Sequence, residues 1–440
     1  MAERLFGTDG VRGIPGRPPL DGRTVELLAY AAALESRATL AVLGRDTRES
    51  GPALGRSLTR GLAAAGCRVL DIGVAPTPAV SYLVPRRGAG LGIVVSASHN
   101  PPEFNGVKFF SKDGRKASED FERKVEKRIG SRLPAAKAKR TPCGVQDYKD
   151  FLRSTFPFYR DLSGLRIVFD GANGSGAAMG PRLLRDLGAE VLEIGTHPNG
   201  KNINRACGAT DTARMRKEVR RRRAHCGLSL DGDADRVILS DERGGEFDGD
   251  SIIALCALHL HRRRELRGGK VVLTVMANLG LVRGLERHGI GTIEVGVGDR
   301  NVTEALGKHG LVLGGEPSGH VVFRQLAPTG DGLLTALQTL AAWRESGGAL
   351  SRHQRLFERY PQILRNVRVE RRVPVEALPA FQRRVLAARK QLGGDGRVFV
   401  RYSGTEPLLR ILVEGRRLEQ VSRIADGLAC FFAEEARITV

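Results

Sequence analysis

The chain has 440 residues, 41% hydrophobic and 27% charged, so it can bury sizeable cores, and two to four domains fit at about 100–200 residues each. Its net charge is +21, but the densest basic runs, "RMRKEVRRRRAH" and "HRRREL", lie within or at the ends of helical patterns. No zinc-finger spacing, aromatic RNA-binding signature or basic tail accompanies them, which argues against a specific nucleic-acid reader.

The six cysteines are scattered without a C-x-x-C pair, so neither a zinc site nor a disulfide framework is expected, and reduced thiols fit a cytoplasm. The start, "MAERLFGTDGVRG", lacks the apolar region of a signal peptide. No run of about 18 apolar residues is present, so no membrane span is expected.

Along the chain, strand-like runs alternate with helical patterns. "TLAVLGRD" precedes a helical "GPALGRSLTRGLAAAG", then come "CRVLDIG" and "GLGIVVSASHNP". The pattern restarts after residues 130–147 with "GLRIVFDGANGSG", "AEVLEIG" and "CGLSLDGDADRVILSD". It restarts again with "KVVLTVMANLG", "GTIEVGVGD" and "LVLGGEPSGHVVF". Continuous apolar runs between helices indicate parallel strands buried on both faces. Three α/β units follow, with parallel or mixed sheets. The last segment, with "GRVFVRYSGTEPLLRILVEG" between two helical stretches, reads as a smaller α+β domain with a hairpin-like centre. Boundaries fall near 156, 253 and 362, giving domains 1–156, 157–253, 254–362 and 363–440. Ligands in open α/β sheets bind beyond the carboxyl ends of strands, where the unusual residues collect here.

Four loops carry the chemistry. In "VVSASHNPPEFNGVKFF", Ser98 stands beside His99 at the mouth of a strand. Neighbouring side chains on an extended segment point apart, and no G-x-S-x-G elbow is present, so a hydrolase triad is disfavoured. A serine can instead hold a phosphoryl group covalently, which calls for cations nearby. "DGDADR" supplies Asp231, Asp233 and Asp235, closed by Arg236. Three such close carboxylates repel one another unless a divalent cation neutralises them, and hard oxygen ligands suit Mg2+. The sixth position of an EF-hand loop needs Gly, and here it is Arg236, between strand-like flanks. "GGEPSGH" offers Glu316, Ser318 and His320 as an acceptor, a hydroxyl and a base, in a pattern like a hydroxyl-reading loop for a sugar. "RYSGTEPLLR" places Ser403, Gly404 and Thr405 between Arg401 and Arg410, as an anion nest that is not a Walker loop. A fifth loop, "GANGSGAAMG", has Met179 at the third glycine position of a dinucleotide fingerprint, so it reads as a tight βα turn.

Together these loops resemble the α-D-phosphohexomutases. The likeness runs in order through "FGTDGVRG", "SASHNPPEFNGVKFF", "DGDADR", "VGVGDRNV", "GGEPSGH", "PTGDGLLTALQTL", "YPQILRNVRV" and "RYSGTEPLLR". The resemblance implies four domains around a central cleft and an enzyme that interconverts hexose phosphates. Its motif order looks like the glucosamine branch, which converts glucosamine 6-phosphate to glucosamine 1-phosphate on the route to the UDP-N-acetylglucosamine of cell walls. It implies that Ser98 is a phosphoserine and that Asp231, Asp233 and Asp235 hold one Mg2+ together with its phosphate. It further implies that a sugar bisphosphate serves as activator and intermediate. By motif match, Arg12 lies against the phosphoserine, Lys108 and His320 are the acid/base pair, and His99 and Arg236 join the catalytic set. Glu316 and Ser318 read sugar hydroxyls, while Arg401, Ser403, Gly404, Thr405 and Arg410 bind the far phosphate. A small hexosamine phosphate is the expected partner, without specific nucleic acid or membrane, and a monomer or homodimer is the expected state. Phosphoglucose and phosphomannose chemistry is the alternative in the same class, and a non-catalytic polyanion binder the alternative in another. Two positions depart from close relatives: Ala234 stands where Gly is common, and Tyr402 where Pro or Lys is common.

Overall fold

In a computed structural model, which describes residues 5–7, 9–130, 133–157, 161–370, 373–402 and 407–438, the alternation read in the sequence becomes four sheets among the described residues. The first contains β1 (Val11–Gly13), β2 (Leu40–Arg45), β3 (Arg68–Val74), β4 (Leu91–Val95), β5 (Asn105–Ser111) and β6 (Arg140–Pro142), in the order β1-β5-β4-β2-β3-β6. The second contains β7 (Arg166–Asp170), β8 (Glu190–Ile194), β9 (Cys226–Leu230), β10 (Val237–Asp241) and β11 (Glu246–Phe247), in the order β11-β10-β9-β7-β8. The third contains β12 (Lys270–Thr274), β13 (Gly291–Val295), β14 (Leu313–Gly315) and β15 (Val321–Phe323), in the order β13-β12-β14-β15.

The apolar runs explain the central strands. Every residue of β4, β9 and β10 is buried, as a strand covered on both faces requires. The sheets are nevertheless mixed. β4 pairs antiparallel with β5, β9 with β10, and β14 with β15. Each of these returns is a direct turn and not a helical crossover, and the three turns are the Ser98, "DGDADR" and "GGEPSGH" loops. A short return admits only an antiparallel partner. The loops therefore stand at the carboxyl ends of β4, β9 and β14.

The chain divides into two compact units. Residues Met1–Met276 and Gly289–Leu356 form one, which holds the three sheets above. In its first core, Leu28, Leu58 and Leu62 from the helices Gly22–Ser36 and Gly51–Ala64 cluster with Leu43, Ile93 and Val107 of the sheet. Residues Ala277–His288 and Phe357–Val440 form the second unit. Its antiparallel sheet contains β16 (Gln362–Arg368), β17 (Gly396–Tyr402) and β18 (Leu408–Gly415), with β18 central. The helices Pro379–Leu392 and Leu418–Ile438 cover it, and the Phe381 and Phe432 rings meet edge-on at 5.1 Å. Asn278 ties the early segment into this unit by exchanging hydrogen bonds with the Tyr360 backbone, giving one at 2.9 Å and taking one at 2.9 Å. The four-part division at 156, 253 and 362 is retained as a proposal. Among the described residues no helix is long and apolar enough to cross a membrane.

One buried carboxyl joins distant parts of the first unit. Asp331 caps the helix Gly332–Ser346 by accepting from the Leu334 amide at 3.0 Å, and its other oxygen accepts from the Tyr148 hydroxyl at 2.8 Å. Burial pushes its pKa up to about 6, against the pull of those two hydrogen bonds. Asp331→Ala removes a cap, at about 0.5–2 kcal/mol, and strands a buried hydroxyl, at about 1–3 kcal/mol. Asp331→Asn keeps both contacts and should be at least as stable as wild type at pH 7 by chemical denaturation. A carboxyl whose pKa is raised on folding favours the folded state most at low pH. Wild-type stability relative to the Asn variant should therefore fall as pH rises from 4 through 6. A pH-independent difference would contradict the burial argument.

Candidate active site

The loop after β4 turns sharply at Ser98, whose φ of +52° lies in the left-handed region that a non-glycine residue enters at a cost of about 1–2 kcal/mol. Ser96 Oγ accepts the Ser98 amide at 2.8 Å. The Ser98 side chain is buried, and its Oγ donates to Asp231 Oδ2 at 2.6 Å. The same turn brings His99 Nδ1 to 3.4 Å from Ser98 Oγ, although the sequence suggested that the two side chains point apart. That expectation assumed extended backbone, and the left-handed residue breaks the alternation. Burial, then Arg236 and Arg12, lowers the His99 pKa to about 4, so the ring is neutral at pH 7.

The "DGDADR" loop closes the β9–β10 hairpin and carries Asp231, Asp233 and Asp235, all buried. Their candidate ligand oxygens lie within 4.8 Å of one another. At an effective dielectric of about 20, each pair of such charges repels by about 3 kcal/mol. Burial, then Asp235 and Asp233, pushes Asp231 well above the usual carboxylate range. Burial also opposes charge on Asp235, but Lys108, His320 and Arg236 outweigh it and hold that carboxyl well below the range. Asp233 Oδ2 accepts from Thr77 Oγ1 at 2.6 Å and from Lys108 Nζ at 2.9 Å. Asp233 Oδ1 and Asp235 Oδ1 are buried without hydrogen-bond partners. Two orphaned oxygens in a cluster of three carboxylates fit a hard divalent cation such as Mg2+. The neighbouring "GANGSG" turn explains its glycines sterically. A Cβ on Gly174 would sit 2.3 Å from the Gly232 carbonyl oxygen, so only glycine lets this turn back the metal loop. Ala234 takes φ +60°.

Sequence reading named Lys108 and its partners Asp233 and Asp235, but not Asp9. Lys108 is buried on β5, with Asp233 at 2.9 Å, Asp9 at 3.0 Å and Asp235 at 3.7 Å. Burial opposes its charge, but the three carboxylates raise its pKa well above the usual lysine value. Asp9 also pairs with Lys116 at 2.5 Å, and Lys116 pairs with Asp299. Asp299 Oδ2 lies 3.7 Å from His320 Nε2, and His320 Nδ1 lies 3.6 Å from Asp235 Oδ1. Acids and bases thus alternate around a closed ring: Asp235, Lys108, Asp9, Lys116, Asp299, His320. Burial disfavours the imidazolium, but Asp235 and Asp299 raise the His320 pKa above its ordinary value. Asp9 and Asp299 lie in the quoted motifs "FGTDGVRG" and "VGVGDRNV" but were given no role there, and Lys116 lies in none of them. The lysine in the apolar strand "NGVKFF" was the local signal for a buried charge.

The remaining predicted residues of this unit lie around the same loops. Arg12 donates to the Ala97 carbonyl at 3.3 Å and to Asn100 Oδ1 at 2.7 Å, on either side of Ser98, and pairs with Asp9. The Arg236 amide donates to Asp231 Oδ1 at 3.2 Å, and its side-chain Nε, 3.8 Å from Asp235 Oδ1, is buried without a hydrogen-bond partner. Glu316 accepts the Gly298 amide at 2.9 Å and Ser318 Oγ at 3.2 Å. A Cβ on Gly330 would lie 2.2 Å from His320 Nε2, which accounts for that glycine of "PTGDG". In the second unit, Arg401 and Arg410 stand directly opposite on β17 and β18. Burial, then Arg410, lowers the Arg401 pKa. Facing like charges destabilise a sheet, and an anion between them would relieve it. Ser403, Gly404 and Thr405 lie outside the described residues.

Comparisons with known proteins agree along the whole chain. Models described as phosphoglucomutase/phosphomannomutase alpha/beta/alpha domains I, II and III match residues 3–134, 146–245 and 248–360, and the C-terminal domain model matches 364–429. A phosphoglucosamine mutase of Desulfovibrio desulfuricans is 44% identical over 450 residues, covering 99% of this chain and 100% of that one. One of Bdellovibrio bacteriovorus is 41% identical over 450 residues, covering 98% of each. Among solved structures, a phosphoglucomutase/phosphomannomutase family protein of Burkholderia thailandensis superposes with a TM-score of 0.81 at 25% identity, covering 98% and 97%. An Aspergillus fumigatus N-acetylphosphoglucosamine mutase, solved with GlcNAc-6P and magnesium, shares the fold at a TM-score of 0.68 and 18% identity, covering 98% and 96%.

The carboxylate cluster predicts a metal response that needs no assay of activity. Mg2+ at about a hundred times its Kd should stabilise the wild type by about 2.7 kcal/mol in denaturation experiments. Asp233→Asn should weaken Mg2+ binding at least about tenfold by calorimetry, since it removes one of three charged ligands. Equal Mg2+ affinity in both proteins would make the loop a structural turn.

Proposed function

The chain belongs to the phosphoglucomutase/phosphomannomutase family of enzymes, and on that premise we propose that it interconverts glucosamine 6-phosphate and glucosamine 1-phosphate through a phosphoserine at Ser98. The observation that carries this reading is the buried Ser98 Oγ, 2.6 Å from one of three clustered carboxylates that between them leave two oxygens without hydrogen-bond partners. Such a hydroxyl is poised to hold a group that shares a cation with the carboxylates. The full-length relatives named phosphoglucosamine mutase support the choice of sugar.

Asp231, Asp233 and Asp235 would hold Mg2+, which neutralises negative charge on a transferred phosphoryl group. The free hydroxyl of a bound sugar phosphate attacks the phosphorus on Ser98. One oxygen–phosphorus bond forms at the sugar as the bond to Ser98 Oγ breaks. The attacking hydroxyl loses a proton and Ser98 Oγ gains one, so the step is balanced. Lys108 and His320, joined through Asp235 at 3.7 and 3.6 Å, are the pair assigned to accept and supply those protons. The sugar bisphosphate then reorients and returns its other phosphoryl group to Ser98. Arg401 and Arg410, with Ser403, Gly404 and Thr405, are assigned to the phosphate that is not reacting. Glu316 is assigned to the 2-amino group, because at neutral pH a carboxylate favours an ammonium over a hydroxyl. The product would feed UDP-N-acetylglucosamine synthesis.

Ser98→Ala should abolish all but a trace of turnover while the fold survives. Retention of more than about a tenth of the activity, a loss of only about 1.4 kcal/mol, would remove Ser98 as the carrier. A charge-assisted hydrogen bond of about 1.5–3 kcal/mol from Glu316 gives roughly ten- to a hundredfold preference in kcat/KM for glucosamine over glucose 1-phosphate, with mannose 1-phosphate poorer still. Equal or better values with glucose or mannose would move the chain to the other branch and leave the mechanism standing. Arg410→Ala should weaken all three substrates alike, and a changed preference with affinity intact would argue against the phosphate assignment.

A further inference from the structure

The left-handed turn at Ser98 needs something to hold it, and two side chains outside the assigned set meet its carbonyl. Arg48 Nη2 donates to the Ser98 carbonyl at 3.0 Å and to the Asn100 carbonyl at 2.8 Å. From the other side, Asn204 Nδ2 donates to the same two carbonyls, at 2.8 and 3.0 Å. Each donor therefore bridges both acceptors. Two carbonyl oxygens can be met only by an NH2 group, which fixes the orientation of the Asn204 amide. Arg48 is fully buried, and its Nε rests on Asp46 Oδ2 at 2.9 Å, the oxygen that also accepts Ser96 Oγ at 2.6 Å. It comes from the connection after β2, in the same sheet. Asn204 comes from the region of the second sheet. It takes φ +57°, hangs from the Ala172 carbonyl through its own amide at 2.9 Å, and lies against the metal loop. A Cβ on Gly232 would be 3.0 Å from Asn204 Nδ2 and 2.6 Å from the Ser98 oxygen.

We propose that Asn204 is a positioning residue for Ser98: by bridging the Ser98 and Asn100 carbonyls from the side of the metal loop, it holds the left-handed turn that aims Ser98 Oγ at Asp231. The inference rests on Ser98 being the phosphoryl carrier. Arg48 alone fixes the loop to its own sheet. Asn204 fixes it against the residues that would hold the metal, and so sets the register between carrier and cation.

The test uses the full chain with Asn204→Gly, because glycine keeps the left-handed backbone and removes only the amide. A misplaced carrier should lower kcat roughly ten- to a hundredfold, as small displacements at a reacting centre do. KM and Mg2+ affinity should stay within about twofold, and Tm within about 3 °C, since no core contact is lost. Amides of residues 96–104 should exchange with deuterium at least about tenfold faster, while those of β4 stay unchanged. Asn204→Asp keeps the shape but turns donors into acceptors facing two carbonyls, so it should lose at least as much kcat as Asn204→Gly. Wild-type kcat in Asn204→Asp, or unchanged exchange in Asn204→Gly, would overturn the proposal. So would a kcat loss matched by the loss of folded protein. If the wild type turned over no hexose phosphate, the functional reading would fall, and the exchange of residues 96–104 would still decide whether Asn204 holds the turn.

Discussion

Three carboxylates buried within five residues of chain set the terms for everything around them. Asp231, Asp233 and Asp235 cannot all be charged in that space without compensation, and the surrounding structure is arranged to supply most of it. Ser98 donates to the first, Thr77 and Lys108 to the second, and Lys108, His320 and Arg236 bring positive charge to the third. Two oxygens remain without hydrogen-bond partners, and that unmet demand fits the cluster to hold a cation.

The compensating groups arrive by one repeated device. In each of the three α/β sheets a strand at the edge of the parallel set turns back directly into an antiparallel neighbour. The turns after β4, β9 and β14 carry the hydroxyl, the carboxylates, and the Glu316–His320 group. A turn anchored on two hydrogen-bonded strands is held more tightly than a crossover loop. That suits groups whose spacing must be kept to a fraction of an ångström.

Charge balance also explains why the site tolerates so much burial. The ring from Asp235 through Lys108, Asp9, Lys116, Asp299 and His320 alternates sign at every step. Removing any one member would strand a buried neighbour, so the ring behaves as a unit. In the second unit, Arg401 and Arg410 stand opposite each other on neighbouring strands.

The sequence by itself determined the class of fold, since continuous apolar runs between helical patterns admit little but buried strands. It also determined the chemistry of the loops, because "DGDADR" is acidic at alternate positions whatever surrounds it, and Ser98 stands at a strand mouth in any register. The match of four domain models along the chain fits that reading. What only the tertiary structure decided were the partners. Lys116, Arg48 and Asn204 lie in no quoted motif, and Asp9 and Asp299 lie in motifs that do not disclose their role, for the roles of all five come from contacts spanning tens to hundreds of residues. The same is true of the contact between Ser98 and His99, which follows from a single left-handed residue and reverses the orientation that an extended chain would give. Local sequence fixes what a loop is able to do, because side-chain chemistry is local. Which groups face it is set by how sheets stack and turn, and that depends on the whole chain.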